Sequence, residues 1–474
     1  MITDLFCKLR VETLTNRPYM KNLIRLFSVL FSAGFLFSAC EGPAGQMGTP
    51  GKDANESCKE CHNSAGIDSV KTMFELSKHA YGEAAFSESG TAGCAPCHTS
   101  EGFKNVVANN VSTVFTIVPP ATTYSNPYAS AVDKSYGEMR CTMCHPKLHT
   151  TYTHDDFMPL TTTAAVPMTF LGGAKTIDLT QDDSKSNLCV KCHQPRPFTR
   201  SFGDKNVIDY SALASSPTTV FFDGNSPNST ANINTIKPGY RTHTHYGTVG
   251  AIVAGVGGVE FGSGYTNSAH ATVASCEDCH MAPVTGRTGG HTFFAKGNFN
   301  GCNVTGCHNA SPMSSSAAAW TAPRSEIKTL LNSLAAKLTI NGVDILNRNP
   351  VSAENSYVNY DYNFDGTSED VLAGANLWAG LTTNNYDGYL NIYDPINNPL
   401  GPSYNATVFQ NPAPATTWNA GEIAYNLTLP KIVLTNAQFG AVINFQLCLR
   451  EYSLGIHNTK YSRTLLTNSI AALP

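Results

Sequence analysis

The stretch from residue 241 to 308 reads R-T-H-T-H-Y-G at 241–247, N-S-A-H-A-T-V-A-S-C-E-D-C-H-M at 267–281, T-G-G-H-T-F-F at 288–294 and G-C-N-V-T-G-C-H at 301–308. It contains one Cys-x-x-Cys-His unit, Cys276, Cys279 and His280. A second unit, Cys302 and Cys307 followed by His308, has four residues between its cysteines. Four more histidines lie in the stretch: His243, His245, His270 and His291. Further out, the five-residue unit recurs at Cys58/Cys61/His62, Cys94/Cys97/His98, Cys141/Cys144/His145 and Cys189/Cys192/His193.

Cys-x-x-Cys-His is the attachment signature of a c-type haem: two thioether links to the porphyrin, with the adjacent histidine as first axial ligand. Zinc ribbons also use paired Cys-x-x-Cys units, but a ribbon does not require a histidine after each second cysteine. All five standard pairs have one. The widened unit is read the same way, against the alternative of a thiol pair or disulfide beside an unrelated histidine. The expectation is six covalent haems, with proximal ligands His62, His98, His145, His193, His280 and His308. Cys448 stands alone in F-Q-L-C-L-R-E and reads as a small buried apolar residue.

The chain has 474 residues, room for two or three domains, and a formal net charge of −4. Residues 1–39 read as a signal segment, with Met20 as an alternative start. Lys21 and Arg25 form a basic region, Leu26 to Phe37 an apolar run, and Phe37-Ser38-Ala39-Cys40 an imperfect lipobox. Cys40 is the expected lipidation site; an ordinary cleaved signal is the alternative. Removing this segment takes away five basic residues and two acidic ones, so the mature chain is more acidic still, which argues against a nucleic-acid partner. Residues 40–51 carry glycine at every third position and read as an extended tether of about 30 Å.

Residues 52–308 are expected to form a multihaem domain of mainly short α-helices and irregular loops around a haem core, the porphyrins supplying buried apolar mass. A short helix is expected over 72–85, carrying His79. Extended segments are expected at 116–123 and 165–171. Residues 309–435 contain no cysteine or histidine and are expected to be a haem-free insertion, mixed α and coil. An amphipathic helix spans 324–338 there, with Ile327, Leu330, Leu331, Leu334 and Leu338 on one face. Asp361, Asn363 and Asp365 match the start of a calcium loop, yet Leu372 occupies the twelfth position, so a plain turn competes with calcium binding. Residues 436–474 read as two helices, the first N-capped by Asn436, packing back on the haem domain. Phe445, Leu447, Leu465 and Leu466 are expected to lie over a porphyrin face.

The chain resembles bacterial multihaem c-type cytochromes of the bis-histidine, electron-transfer kind. Besides the attachment units, the resemblance rests on C-H-P-K-L-H, H-Y-G-T-V-G, S-A-H before C-E-D-C-H-M, G-G-H-T-F and G-I-H-N-T-K-Y-S-R-T-L-L. It covers 52–308 and 436–474, and the Cys302–Cys307 spacing departs from it. The resemblance implies a second, distal histidine on each iron. Of 14 histidines, six follow attachment cysteines. The distal candidates are His79, His149, His245, His270, His291 and His457, with His154 and His243 as alternates to His149 and His245. The implied function is electron transfer along six bis-histidine haems at the cell envelope, lipid-anchored on either side of the outer membrane. Its partners would be other redox proteins or an extracellular acceptor. Two alternatives stay open: an oxidoreductase of the nitrite or hydroxylamine type with one open haem, and a filament-forming cytochrome.

The lipobox reading predicts an acylated Cys40 at the mature terminus. Mass spectrometry of the membrane fraction should find it, and Cys40→Ser should release the protein into the soluble fraction.

Overall fold

The computed structural model describes residues 62, 66–81, 95–108, 116–117, 124–125, 139–157, 160–168, 175–195, 208–225, 238–240, 242–348, 386–393, 408–409 and 419–474. Cys40, Cys58, Cys61, Cys94 and the calcium candidates Asp361, Asn363 and Asp365 lie outside them. Residues 1–62 and 63–474 form separate units. His62 is the described residue of the first, and the second holds all the others.

In the described standard units at 141–145, 189–193 and 276–280, two intervening residues put the histidine amide one turn beyond the first cysteine carbonyl. Cys141–Cys144 and Cys276–His280 are single helical turns, and Asn187–Val190 leads into the unit at 189–193. His145 N–H donates to Cys141 O at 2.9 Å, and His193 N–H to Cys189 O at 3.1 Å. The turn at 276–280 is capped by Ser275: its Oγ accepts from Asp278 N–H at 3.0 Å, while its own N–H donates to Asp278 Oδ2 at 2.7 Å. In the widened unit His308 N–H still reaches the carbonyl of the first cysteine, Cys302, at 2.9 Å. The two extra residues are taken up in the loop, where Gly306 adopts φ +90°.

The helix expected over 72–85 is two helices, Ile67–Glu75 and Lys78–Tyr81. The first ends at Leu76, whose N–H is shared between Thr72 and Met73 carbonyls, and His79 sits on the second. The extended segments are short antiparallel pairs: Thr116–Ile117 with Tyr124–Ser125, and Val166–Met168 with Lys175–Ile177.

The described residues build an apolar core of side chains. At its centre lies the helix Asn436–Leu449, in which every residue but Gln438 is buried. Its sequence is apolar all round, as a helix enclosed on every side requires. The N-cap is Thr435, not Asn436: Thr435 Oγ1 accepts from Gln438 N–H at 3.2 Å, and Gln438 Oε1 accepts from Thr435 N–H at 2.9 Å. The strand Val433–Thr435 pairs antiparallel with Val220–Asp223, and Phe221 stacks on Phe439 at 3.9 Å.

The helix Ala318–Lys337 packs against Asn436–Leu449 and Thr459–Ala472 through Ile327, Leu331 and Leu334. It starts earlier than expected and continues through Pro323, whose missing N–H forfeits one bond. Trp320 sustains that first turn, meeting Phe299 edge-on at 5.2 Å and lying under Arg324 at 4.9 Å. A bidentate pair, Arg463 to Glu326 at 2.6 and 2.7 Å, ties it to the last helix. The described parts of 309–435 thus share one core with Phe222, Val259 and Leu447, not a separate one. Phe445, Leu447, Leu465 and Leu466, expected over a porphyrin, are fully buried within this core. Cys448 is buried there too. Among the described residues no helix is long and apolar enough to cross a membrane.

Asn444 is the polar pin of this core. Its Oδ1 accepts from Val259 N–H at 2.8 Å; its Nδ2 donates to Val259 O and Ser469 Oγ, each at 2.8 Å. Asn444→Ala strips three buried partners at once. It should cost about 3 kcal/mol in denaturant unfolding, since each orphaned buried group costs roughly 1–3 kcal/mol.

Candidate functional site

Five histidines that follow attachment cysteines each face a second imidazole across a similar gap. His193 faces His79 at 6.1 Å between ring centroids, His98 faces His245 at 6.4 Å, and His145 faces His291 at 6.2 Å. His308 faces His270 at 6.1 Å, and His280 faces His457 at 6.2 Å. The five separations agree to within 0.3 Å. A metal binds an imidazole nitrogen at about 2 Å, and each centroid lies roughly 1 Å behind that nitrogen. Two imidazoles in line on one ion therefore leave about 6 Å between centroids.

The backs of four of the rings are held by main chain. Nδ1 of His193 hydrogen-bonds Gly247 O at 3.3 Å, His245 Nδ1 its neighbour Tyr246 O at 2.9 Å, His270 Nδ1 Ile456 O at 2.9 Å, and His280 Nδ1 Phe293 O at 2.9 Å. A carbonyl that accepts from Nδ1–H keeps the ring proton on Nδ1 and leaves Nε2 free to ligate. Gly247 and Gly250 let their loop approach His193. A Cβ on Gly247, at φ +64°, would meet His193 Nδ1 at 3.2 Å, and one on Gly250 would strike Val190 Cγ1 at 2.6 Å and His193 O at 2.8 Å.

For five of these imidazoles the surroundings favour the neutral form, the one that ligates. Burial, helped by the charges of His193 and His280, lowers His79 to about 4. Burial likewise lowers His280 to about 4, against an opposing hydrogen bond to Phe293. His193, His145 and His291 are also lowered, chiefly by burial. His193 is crowded by protein yet keeps part of its surface open to water. His457 moves the other way: burial would lower it, but its hydrogen bond to Glu451 and that carboxylate's charge raise it.

The sites adjoin one another. The Cys192 thiol neighbours that of Cys97, Cys189 that of Cys276, and Cys279 that of Cys302, each pair joining two different units. Cys97 Sγ also lies 3.8 Å from Lys191 O, and Cys192 Sγ 3.8 Å from Cys97 O. The described attachment cysteines are free thiols, Cys302 and Cys307 included. Phe293, at φ +56°, is shared by three sites: its ring meets His79 at 4.8 Å and His291 at 5.8 Å, and its carbonyl receives His280.

Of the two closely spaced histidines near Tyr246, His245 faces a motif histidine. His243 lies against Tyr246 at 5.1 Å and Tyr389 at 5.7 Å, and its Nδ1 accepts from His245 N–H at 3.0 Å. His149 is exposed, at φ +61°, with its ring stacked on Tyr152 at 5.9 Å. Its loop is fixed by Asp156, which accepts from the N–H groups of Thr150, Thr151 and Tyr152. His154 opens the short 3-10 turn His154–Phe157.

Among the described residues, no three or more His, Cys, Asp or Glu side chains gather as a metal ion's full ligand set would. The donors come in pairs. That set suits a metal whose remaining positions are filled by a planar macrocycle, and the attachment thiols beside each motif histidine suit a covalently held one. No protein-family model matches the chain, and no curated protein or solved structure matches it.

Sequence reading did not single out Phe293, Glu451 or Asn458. Asn458 donates to Ile252 O at 3.0 Å and Asn267 Oδ1 at 2.8 Å, and accepts from Ser268 N–H at 3.0 Å. It thereby fastens the segment bearing His457 to the segment leading into His270. Asn458→Ala should displace both of those rings and leave the His145–His291 pair in place. A crystal structure of the variant, comparing the five ring separations, checks this.

Proposed function

We propose that this chain is an electron-transfer protein carrying six covalent c-type haems, each bound through one cysteine pair and its histidine. The observation that carries the reading is the facing of five motif histidines by His79, His245, His291, His270 and His457 at 6.1–6.4 Å. When bound between two imidazoles, such a group supplies one-electron oxidation and reduction at an iron with no position left for a substrate. The role of the chain is to hold pairs of imidazoles across a fixed gap and to set the sites side by side. The inter-unit thiol contacts support an order that runs from the His98 site through those of His193 and His280 to that of His308. The His145 site joins through Phe293. The retained Cys302–His308 amide geometry supports use of the widened unit as well. A lipid on Cys40 would hold the protein to an envelope membrane, most simply the outer membrane. The partners would be other redox proteins or an external electron acceptor, with no role for nucleic acid.

Intact mass should exceed that of the lipidated polypeptide by six haem groups. Cys302→Ser with Cys307→Ser should lower the count by one; an unchanged mass would show that the widened unit is unused. Ferric electron paramagnetic resonance should be low-spin throughout, whereas a high-spin component would favour an enzyme with an open site. The His280–His457 planes differ by 19° and those of His270–His308 by 71°, so the first should give a rhombic signal and the second a strongly anisotropic one. His457→Ala should turn one centre high-spin and able to bind carbon monoxide, leaving the rest unchanged.

A further inference from the structure

His457 differs from the other imidazoles in what stands behind it. The Nδ1 atoms of His193, His245, His270 and His280 meet neutral carbonyl oxygens. His457 Nδ1 meets a carboxylate, Glu451 Oε2, at 2.5 Å. The Glu451 side chain is 1% exposed. It is held by Gly455 N–H on Oε1 at 2.7 Å and by Ser453 Oγ on Oε2 at 2.6 Å, and Ser453 Oγ in turn accepts from His457 N–H at 3.1 Å. Gly455 makes this turn possible: its φ is +85°, and a Cβ there would strike Ile327 Cγ1 at 2.6 Å. The carboxylate is thus built into a rigid loop, in the same turn as the histidine it touches. A carboxylate accepts a hydrogen bond roughly twice as strongly as a neutral oxygen. Pulling on the Nδ1 proton makes the imidazole more basic at Nε2 and fixes its plane.

Resting on the reading of His280 and His457 as a ligand pair, we infer that Glu451 is a positioning and tuning residue. It makes His457 a stronger donor than the carbonyl-backed imidazoles and so lowers the midpoint potential of the centre between His280 and His457. A centre of lowered potential in the middle of the series from the His98 site to the His308 site gives up electrons readily to its neighbours and retains them poorly. Glu451 therefore biases where electrons reside in the array, without touching the metal.

The test is redox potentiometry of the full-length holoprotein. Glu451→Gln keeps the shape and removes the charge; one midpoint should rise, the others should stay, and the centre should remain low-spin. Ser453→Ala removes a donor that competes for Oε2, so the same midpoint should fall. Opposite shifts in the two variants are not what a merely structural residue would give. Unchanged potentials in a low-spin Glu451→Gln protein, or a uniform shift of all centres, would overturn the inference. Where Glu451→Gln does not accumulate, Ser453→Ala decides alone: a fall supports the role of Glu451, and no shift overturns it. Failure of the underlying reading looks different, because His457→Ala would then give no new high-spin centre and no carbon monoxide binding.

Discussion

The placement of imidazole rings by their Nδ1 atoms is the constraint on which the rest depends. A histidine side chain has two free torsions, and in five of the ten facing rings a hydrogen bond at Nδ1 fixes the ring from behind. In four cases a main-chain carbonyl does this, and in one a buried carboxylate. Because carbonyls belong to loops, the loops must be rigid. They are held by glycines with positive φ, by Asn458, and by the buried helix Asn436–Leu449, whose Gln446 donates to Thr242 O at 2.8 Å and Gly388 O at 2.7 Å. The irregular segments around the motifs are therefore connected directly to the most regular part of the protein.

This division of labour explains how a chain with many one-turn helices is stable. Short helices and two-stranded pairs contribute little by themselves. The burial of Phe222, Phe439, Phe445 and their neighbours supplies a hydrophobic core that spans residues 166–473. Covalent attachment of a macrocycle would then restrain loops already anchored at one end, rather than substitute for a missing core.

Much of the site was legible because its chemistry is rare in sequence. Cysteine pairs followed by histidine stand out at any distance, and the few remaining histidines had to be distributed among them. Five of the six chosen by counting face a motif histidine; His149 stacks on Tyr152. The apolar stripe from Ile327 to Leu338 was equally readable as a helix face. What could not be read depends on contacts between distant segments. Thr435 and Asn436 are both good caps, and the pairing of Val433–Thr435 with Val220–Asp223 keeps Thr435 extended as the cap. Phe445 and Leu466 are apolar whether they cover a cofactor or fill a core. Nothing in Arg-Glu-Tyr marks Glu451 as the carboxylate behind a histidine six residues later, since its burial comes from tertiary packing. Phe293 is one of 23 phenylalanines, and its role arises where three loops meet.

The Asn458 tie has a kinetic side. It joins residues 206 apart in the chain, and Asn444 joins Val259 across 185. A chain synthesised from its N-terminus exposes His280 and His308 long before the segment that completes their surroundings exists. High contact order of this kind makes closure slow and late. The last forty or so residues, from Asn436 onward, bring the buried helix, His457, the Ile456 carbonyl behind His270, and the final packing helix in one stroke. Completion of two imidazole pairs and of the hydrophobic core is thus a single event, reached only once residues 436–474 are in place.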